Sequence, residues 1–186
     1  MQAWQYADLG EFVYIDHSWG RRFSLPAFSR LKYRGFFEPA DGTLNAGVPL
    51  AVLVEDEFCP PHPLAISLAR EIVANQSRLL DLSLNALLRD IRGVGPKSCS
   101  GWFGQRDFVR KLIPGADLTS DLTELNLCDA LGIPSILIKN TVDKEPRLTA
   151  TLAFHCIFEP EHGLGFLTDG EGILGIGSAL DVEPFH

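Results

Sequence analysis

Residues 148–159 read LTATLAFHCIFE, and this stretch decides the fold class. Apolar residues recur at every second position over its full length. Successive side chains of a strand point to opposite faces, so the alternation predicts one β-strand with a buried and an exposed face. The predicted buried face consists of Leu148, Ala150, Leu152, Phe154, Cys156 and Phe158. Downstream, residues 164–168 and 173–176 predict a hairpin across the DGEG sequence at 169–172, which makes the C-terminal third an antiparallel β-meander.

Upstream of this strand, the apolar period changes to that of a helix. Residues 63–92 carry apolar side chains at spacings of three and four, which is typical of one helical face. Prolines before the segment favour its start, and Gly93 favours its end. The pattern predicts one long helix, with a bend or break at residues 75–77 as the alternative.

Two shorter helices are predicted after the long one. The first covers residues 105–112, and the second lies within residues 117–131. Three residues are candidate caps for the second helix, because their side-chain oxygens can accept backbone N–H groups. These are Thr119, Ser120 and Asp121.

The first 58 residues indicate β structure. Four segments rich in aromatic and β-branched residues predict strands at residues 12–15, 21–25, 30–37 and 48–55. Asp41 and Gly42 predict a hairpin turn.

The order of these elements predicts an α+β fold with an N-terminal antiparallel β segment, a long central helix and a C-terminal antiparallel β-meander. We expect a single domain over residues 1–186. Within it, residues 1–58 could form a β subdomain, residues 62–131 the helical middle and residues 133–186 the C-terminal sheet.

Charge and composition bound the function. Hydrophobic residues make up 46% of the 186 residues, which is typical of a globular protein. The net charge is −8, and residues 112–186 hold 3 basic and 12 acidic residues, a net charge of −9. Such a field repels polyanions and attracts cations, so we expect no nucleic-acid partner and favour a basic protein. The alternative is a solvated acidic surface that only maintains solubility.

No long apolar segment and no basic, apolar leader occurs in the sequence. We therefore expect no membrane partner and a cytoplasmic location.

The densest polar group lies in residues 154–166, FHCIFEPEHGLGF. Its imidazoles and carboxylates could bind a ligand or a partner, and they belong to His155, Glu159, Glu161 and His162. The alternative is a purely structural strand–turn–strand corner. In it, Glu161 or His162 bonds backbone groups, and Gly163 and Gly165 let another segment of the chain pass close to their backbone.

We expect no metal, no cofactor and no catalytic residue. His155 and Glu159 would lie about 13 Å apart on one strand face, too far to bind one ion. The chain also lacks the GxSxG and HExxH motifs. The alternative is a small-ligand- or metal-binding enzyme that uses the His155–His162 corner.

A second candidate binding element is the glycine-rich segment 93–104. Trp102 lies there close to Arg106, and both residue types are favoured anchors of protein interfaces. The alternative is a loop folded back onto the core. The four cysteines form no CxxC pair and indicate reduced thiols, of which Cys99 is the one to test for reactivity.

Three segments of the last third carry a resemblance: LGIPSILI (131–138), LAFHCIFEPEHGLGFL (152–167) and GILGIGSALDVEPF (172–185). They resemble an uncharacterised bacterial domain family whose members end in a strand, a W/F-x-x-EHGLG corner, a hairpin and an acidic G-x-A-D tail. The proline-led segment 60–88, with its central Asn75, also resembles that family.

The resemblance covers residues 48–186. Phe158 stands where many members have Trp, and the G-x-A-D ending is stretched here to Gly177–Asp181. Members are sometimes associated with toxin systems. The resemblance therefore implies a non-enzymatic binding domain, an immunity protein that inhibits a basic toxin, with Asp181 as a further binding residue.

Overall fold

The computed structural model describes residues 2–15, 17–34, 47–54, 59–117, 119–139 and 148–185. Within these ranges, eight strands form one sheet whose spatial order follows the chain. They are β1 (Ala3–Tyr6), β2 (Gly10–Ile15), β3 (Ser18–Phe23), β4 (Val48–Leu53), β5 (Leu131–Lys139), β6 (Ala150–Cys156), β7 (Glu159–Thr168) and β8 (Ile173–Ser178). Neighbouring strands are antiparallel except β4 and β5, which are parallel.

The α-helices of the described residues all lie between β4 and β5 in the chain. They are α1 (Pro63–Ala74), α2 (Gln76–Ile91), α3 (Arg106–Leu112) and α4 (Glu124–Ala130). A parallel strand pair needs a crossover connection, and these helices supply it. Helices α1, α2 and α4 contact the sheet, where alternate strand residues such as Ile136, Leu152 and Phe154 are buried. The core therefore lies between one sheet face and the helices, and the α+β class is confirmed.

The prediction of one continuous helix over residues 63–92 is wrong, and its alternative, a break at residues 75–77, is confirmed. Helix α1 starts at Pro63 as expected, but Asn75 has φ −99° and ψ 15° and separates α1 from α2. Polar side chains at the break bond other segments: Asn75 Nδ2 donates to the Gly170 carbonyl (3.5 Å), and Gln76 Oε1 accepts the Ala27 N–H (3.1 Å). The chain breaks where these polar residues interrupt the apolar stripe.

Helix α4 is capped by Thr123, so the predicted caps Thr119, Ser120 and Asp121 are wrong. Thr123 Oγ1 accepts the Asn126 N–H (3.3 Å), and Asn126 Oδ1 accepts the Thr123 N–H (3.0 Å). This reciprocal arrangement is a capping box, and it satisfies backbone groups at the helix start.

The alternation in residues 148–159 is confirmed, but the strand ends earlier than predicted. Strand β6 stops at Cys156, and Glu159 already pairs with it as the first residue of β7. The tight turn falls at Ile157 and Phe158, where the Ile157 N–H donates to the Ala130 carbonyl (3.0 Å) and Phe158 is buried. The predicted corner at residues 159–162 is therefore the first part of β7.

The next hairpin is confirmed. Strands β7 and β8 are joined by residues 169–172, and Asp169 Oδ1 accepts the N–H groups of Glu171 and Gly172 at 3.0 Å each.

The N-terminal part differs from the prediction at two places. Strand β1 is present although the sequence pattern does not predict it, and the strand expected at residues 30–37 is absent from residues 30–34. Pro26–Arg30 instead forms a 3-10 helix, after which the N–H groups of Lys32 and Tyr33 donate to the carbonyls of Cys128 (2.9 Å) and Leu131 (3.1 Å). Residues 35–37 and the hairpin expected at residues 41 and 42 lie outside the described residues.

Candidate functional site

The glycine-rich loop of residues 93–104 starts from the cap of α2. Gly93 has φ +71°, a backbone conformation that glycine adopts without steric cost. Its N–H donates to the Asp90 carbonyl, and the Val94 N–H donates to the Arg89 carbonyl, both at 2.9 Å. This is a Schellman motif, and it turns the chain back along the end of α2.

The carboxylate of Asp90 holds this loop in place. Its Oδ1 accepts the hydroxyl of Ser98 and its Oδ2 accepts the hydroxyl of Ser100, both at 2.5 Å. Asp90 is only 3% exposed, and its backbone carbonyl also accepts the N–H of Gly104 (2.9 Å). Burial raises the pKa of Asp90, while the two serine hydrogen bonds oppose that rise. Asp90 therefore holds the middle of the loop through its carboxyl group and both ends of the loop through its backbone carbonyl.

The loop places Trp102 against the tip of the β6–β7 hairpin. The ring centroids of Trp102 and Phe158 are 5.3 Å apart with planes at 75°, an edge-on contact. Trp102 also stacks on Phe108 of α3, at 6.0 Å and 11°. Phe158 is buried and Phe108 is 52% exposed, so an aromatic row runs from the core to the surface. The two elements that the sequence singled out separately thus meet in space.

Sequence reasoning missed two members of this aromatic row. The alternation and the resemblance give Phe158 no binding role, and no motif points to Phe108. The helical spacing does hold a signal for Phe108. Val109 and Ile113 are four residues apart and mark the buried face of this segment. Phe108 lies off that face, so an aromatic side chain is expected at the surface there.

Carboxylates and imidazoles follow the hairpin tip along β7. Glu159 Oε1 lies 3.3 Å from His162 Nδ1, and Glu161 and His162 are exposed. His155 is exposed on β6, with its Cβ on the side of Gly132. Among the described residues, the one hydrogen bond that joins two of these four side chains is that of Glu159 with His162.

Arg106 is held by carboxylates of the helical layer. Its Nη1 lies 3.1 Å from Asp121 and its Nε 3.4 Å from Asp107, while Arg110 Nη2 lies 2.8 Å from the same Asp107. Ion pairs at such exposed positions contribute about 1 kcal/mol or less. Arg106 lies two residues before Phe108 of the aromatic row. The carboxylates of Asp107 and Asp121 offset its charge, so it adds little positive potential there.

Glycines seat the C-terminal tail, residues 179–185, on the sheet. A Cβ at Gly175 would overlap the carbonyl oxygen of Glu183, and one at Gly165 would lie 3.0 Å from the Cα of Ala179. The tail begins beside Gly163, whose carbonyl accepts the Ala179 N–H (3.4 Å). The chain that passes Gly165 and Gly175 is thus the tail, and Asp181 is exposed on it, two residues beyond Ala179.

We call this region the hairpin-end surface. It consists of Trp102, Phe108, Glu159, Glu161, His162 and Asp181. Residues 148–185 contain neither Lys nor Arg, and this surface includes Glu159, Glu161 and Asp181, so the part that β7 and the tail contribute is acidic.

The thiols and the metal-ligating side chains form no metal-binding cluster in the described part of the chain. Within the described ranges, no group of three or more His, Cys, Asp and Glu side chains could hold a metal ion. Cys128 and Cys156 are buried, which raises the pKa of both thiols, whereas Cys59 and Cys99 are exposed. All four are free cysteines. None of the helices in the described part of the chain is long and apolar enough to cross a membrane.

Comparison with known proteins finds no matching family, no matching curated protein and no matching solved structure. The resemblance of the last third to a bacterial domain family therefore stays a prediction.

Proposed function

We propose that this protein is a non-enzymatic protein-binding domain, and that it acts in the bacterial cytoplasm as an immunity protein inhibiting a basic toxin. The observation that carries the proposal is the aromatic row of Trp102 and Phe108 beside the carboxylates of β7. Aromatic side chains that reach from a packed core to the surface are the anchors around which protein interfaces form.

Electrostatics supports a basic protein as the partner. Glu159 directly follows Phe158 of the aromatic row, Glu161 and Asp181 are exposed, and no Lys or Arg follows residue 147. Complementary charge accelerates encounter with a cationic surface and repels nucleic acid. The inhibited toxin would present its basic face to this end of the sheet.

The experiment is co-expression with the toxin encoded beside this gene, followed by binding and growth-protection measurements. We expect Phe108→Ala to weaken binding by about tenfold or more, because it truncates the exposed end of the row. We expect Glu161→Gln to slow association. The matched control is Glu171→Gln, which makes the same charge change at the opposite end of β7, about 25 Å away.

Circular dichroism of each variant separates lost binding from lost folding. A folded Phe108→Ala variant that binds and protects like the unmodified protein would overturn the proposed surface. A protein that neither binds nor protects against any neighbouring toxin would overturn the proposed function.

A second candidate function rests on the contact between Glu159 and His162. A carboxylate beside an imidazole could serve as an acid–base pair in a metal- or ligand-dependent enzyme. Structural and catalytic zinc sites use three or four protein ligands, and this pair supplies two. Stoichiometric metal in the purified protein, lost in His162→Ala, would favour the enzyme over the binding domain.

A further inference from the structure

A separate cleft lies between α2, the 93–104 loop and the end of the C-terminal tail. We call it the α2 cleft, and its volume is about 290 Å³. Its apolar walls come from α2 (Leu82 and Ala86), the loop that follows it (Val94 and Pro96), β8 (Ile173) and the tail (Phe185). This volume is near the lower end of small-molecule pockets, which span about 300–1,000 Å³. The cleft therefore suits a small organic molecule with an apolar body.

The rim of the cleft carries a cation, Arg89. No hydrogen bond or ion pair joins its guanidinium to another residue that the structure describes, whereas Arg92, Arg106 and Arg110 each bond a carboxylate or a carbonyl. A guanidinium beside apolar walls matches a carboxylate head group, which it can bind through two parallel hydrogen bonds.

The loop backbone passes close to this guanidinium at Gly95. Gly95 has φ +109°, and a Cβ there would lie 3.1 Å from Arg89 Nη2. The loop backbone thus approaches the arginine side chain where no larger residue fits without displacing it. On the inner side, both oxygens of Asp90 are occupied by Ser98 and Ser100, so its charge is already hydrogen-bonded.

The tail closes one side of the cleft. The N–H of Phe185 donates to the Leu174 carbonyl of β8 (2.8 Å), and this bond holds its ring among the lining residues. We propose that the α2 cleft binds a small organic carboxylate, its apolar body between α2 and Phe185 and its carboxylate on Arg89. This site goes beyond the proposed function, since it uses none of the hairpin-end surface.

Octanoate is the probe, and octylamine has the same chain with the opposite charge. We expect calorimetry to give octanoate a dissociation constant of about 1 mM or lower, which a ligand of this size can reach. Arg89→Met should weaken octanoate binding about tenfold. The matched control is Arg78→Met, because Arg78 is exposed on the same helix, about 16 Å away, and likewise has no ion pair among the described residues.

Location is tested by NMR of methyl groups. Octanoate should shift the resonances of Leu82, Val94 and Ile173, and Phe185→Ala should weaken octanoate binding. Octylamine binding as tightly as octanoate, equal affinity of Arg89→Met and the unmodified protein, or shifts confined to other methyl groups would each overturn the proposal. Toxin binding does not enter these measurements, so the two proposals fail independently.

Discussion

At the scale of single residues, Asp90 connects stability to the shape of both proposed sites. Its carboxylate fixes Ser98 and Ser100 in the loop that carries Trp102, and its backbone belongs to the helix that carries Arg89. A hydrogen bond to a charged group contributes about 1.5–3 kcal/mol, so the two serines should stabilise the loop measurably. The sequence indicated a loop here, but not the acid that organises it.

We expect the difference in unfolding free energy between Asp90→Asn and the unmodified protein to change with pH in one direction. Burial raises the pKa of Asp90 in the folded state above its unfolded value. The contribution of Asp90 is therefore complete below about pH 4, where both states are protonated, and is lost as pH rises through the folded pKa. Asn cannot ionise, so the variant should gain stability relative to the unmodified protein between pH 4 and pH 8. Urea unfolding at both pH values measures this, and a constant difference would contradict it.

Gly175 is the residue that seats the C-terminal tail. Gly175→Ala should displace the tail and destabilise the fold by about 1–3 kcal/mol, because its Cβ would overlap the Glu183 carbonyl. Gly172→Ala is the control in the same hairpin, since nothing lies within 4 Å of its Cβ position. Carboxypeptidase digestion should remove the tail faster from Gly175→Ala alone. Equal digestion of both variants would show that the glycine does not seat the tail.

At the scale of elements, local chemistry decides where each helix and strand ends. The cap of α4 depends on Thr123 and Asn126 being three residues apart. This spacing is visible in the sequence, but residues 119–121 also carry side-chain oxygens that could cap a helix. Asp117 takes part in that outcome, because its carboxylate accepts the N–H and hydroxyl of Thr119 and forms a separate turn.

We expect Thr123→Ala to lower the unfolding free energy by about 1 kcal/mol, the usual loss for an N-cap threonine. Ser120→Ala should change it by no more than a few tenths, because its hydroxyl bonds the Asp117 carbonyl outside the helix. Thermal unfolding of both variants compares the two positions directly. The assignment of Thr123 as cap is wrong if Ser120→Ala is the more destabilised protein.

At the scale of the whole molecule, the β4–β5 pairing joins the N-terminal and C-terminal strands into one sheet. Four residues of β4, from Leu50 to Leu53, pair with Ile136–Lys139 across a separation of more than 80 residues. Strands β3 and β4 also contribute core residues, including Trp19, Leu50 and Val52.

We expect this arrangement to unfold as one cooperative unit. In Trp102→Phe, the remaining tryptophans Trp4 and Trp19 report on β1 and β3, while far-ultraviolet circular dichroism reports mainly on the helices. The denaturant midpoints of the two signals should coincide. Two separate midpoints would show that residues 1–58 form an independent subdomain.

The charge distribution gives a second prediction at this scale. Association with a basic partner should slow as ionic strength rises from about 0.05 to 0.5 M, because salt screens the field of the acidic C-terminal strands. Dissociation should change less, since it depends on close contacts. Stopped-flow measurements separate the two rates, and an association rate independent of salt would exclude electrostatic steering.

The sequence by itself determined the periodicities and the charge. The alternation in residues 148–159 and the helical spacing in residues 63–92 are local patterns, so they predicted the element types and the α+β class. They did not fix where the elements end, because those ends depend on distant contacts. The turn at Ile157 and Phe158 contacts Ala130 and Trp102. The break at Asn75 is bonded to Gly170, and the neighbouring Gln76 to Ala27.

Only the tertiary structure decided which distant segments meet. The parallel β4–β5 pair, the contact of Trp102 with Phe158 and the α2 cleft all join residues that no local period relates. The physical reason is that periodicity fixes which face of an element is apolar, whereas the buried partner of that face is selected by packing of the whole chain.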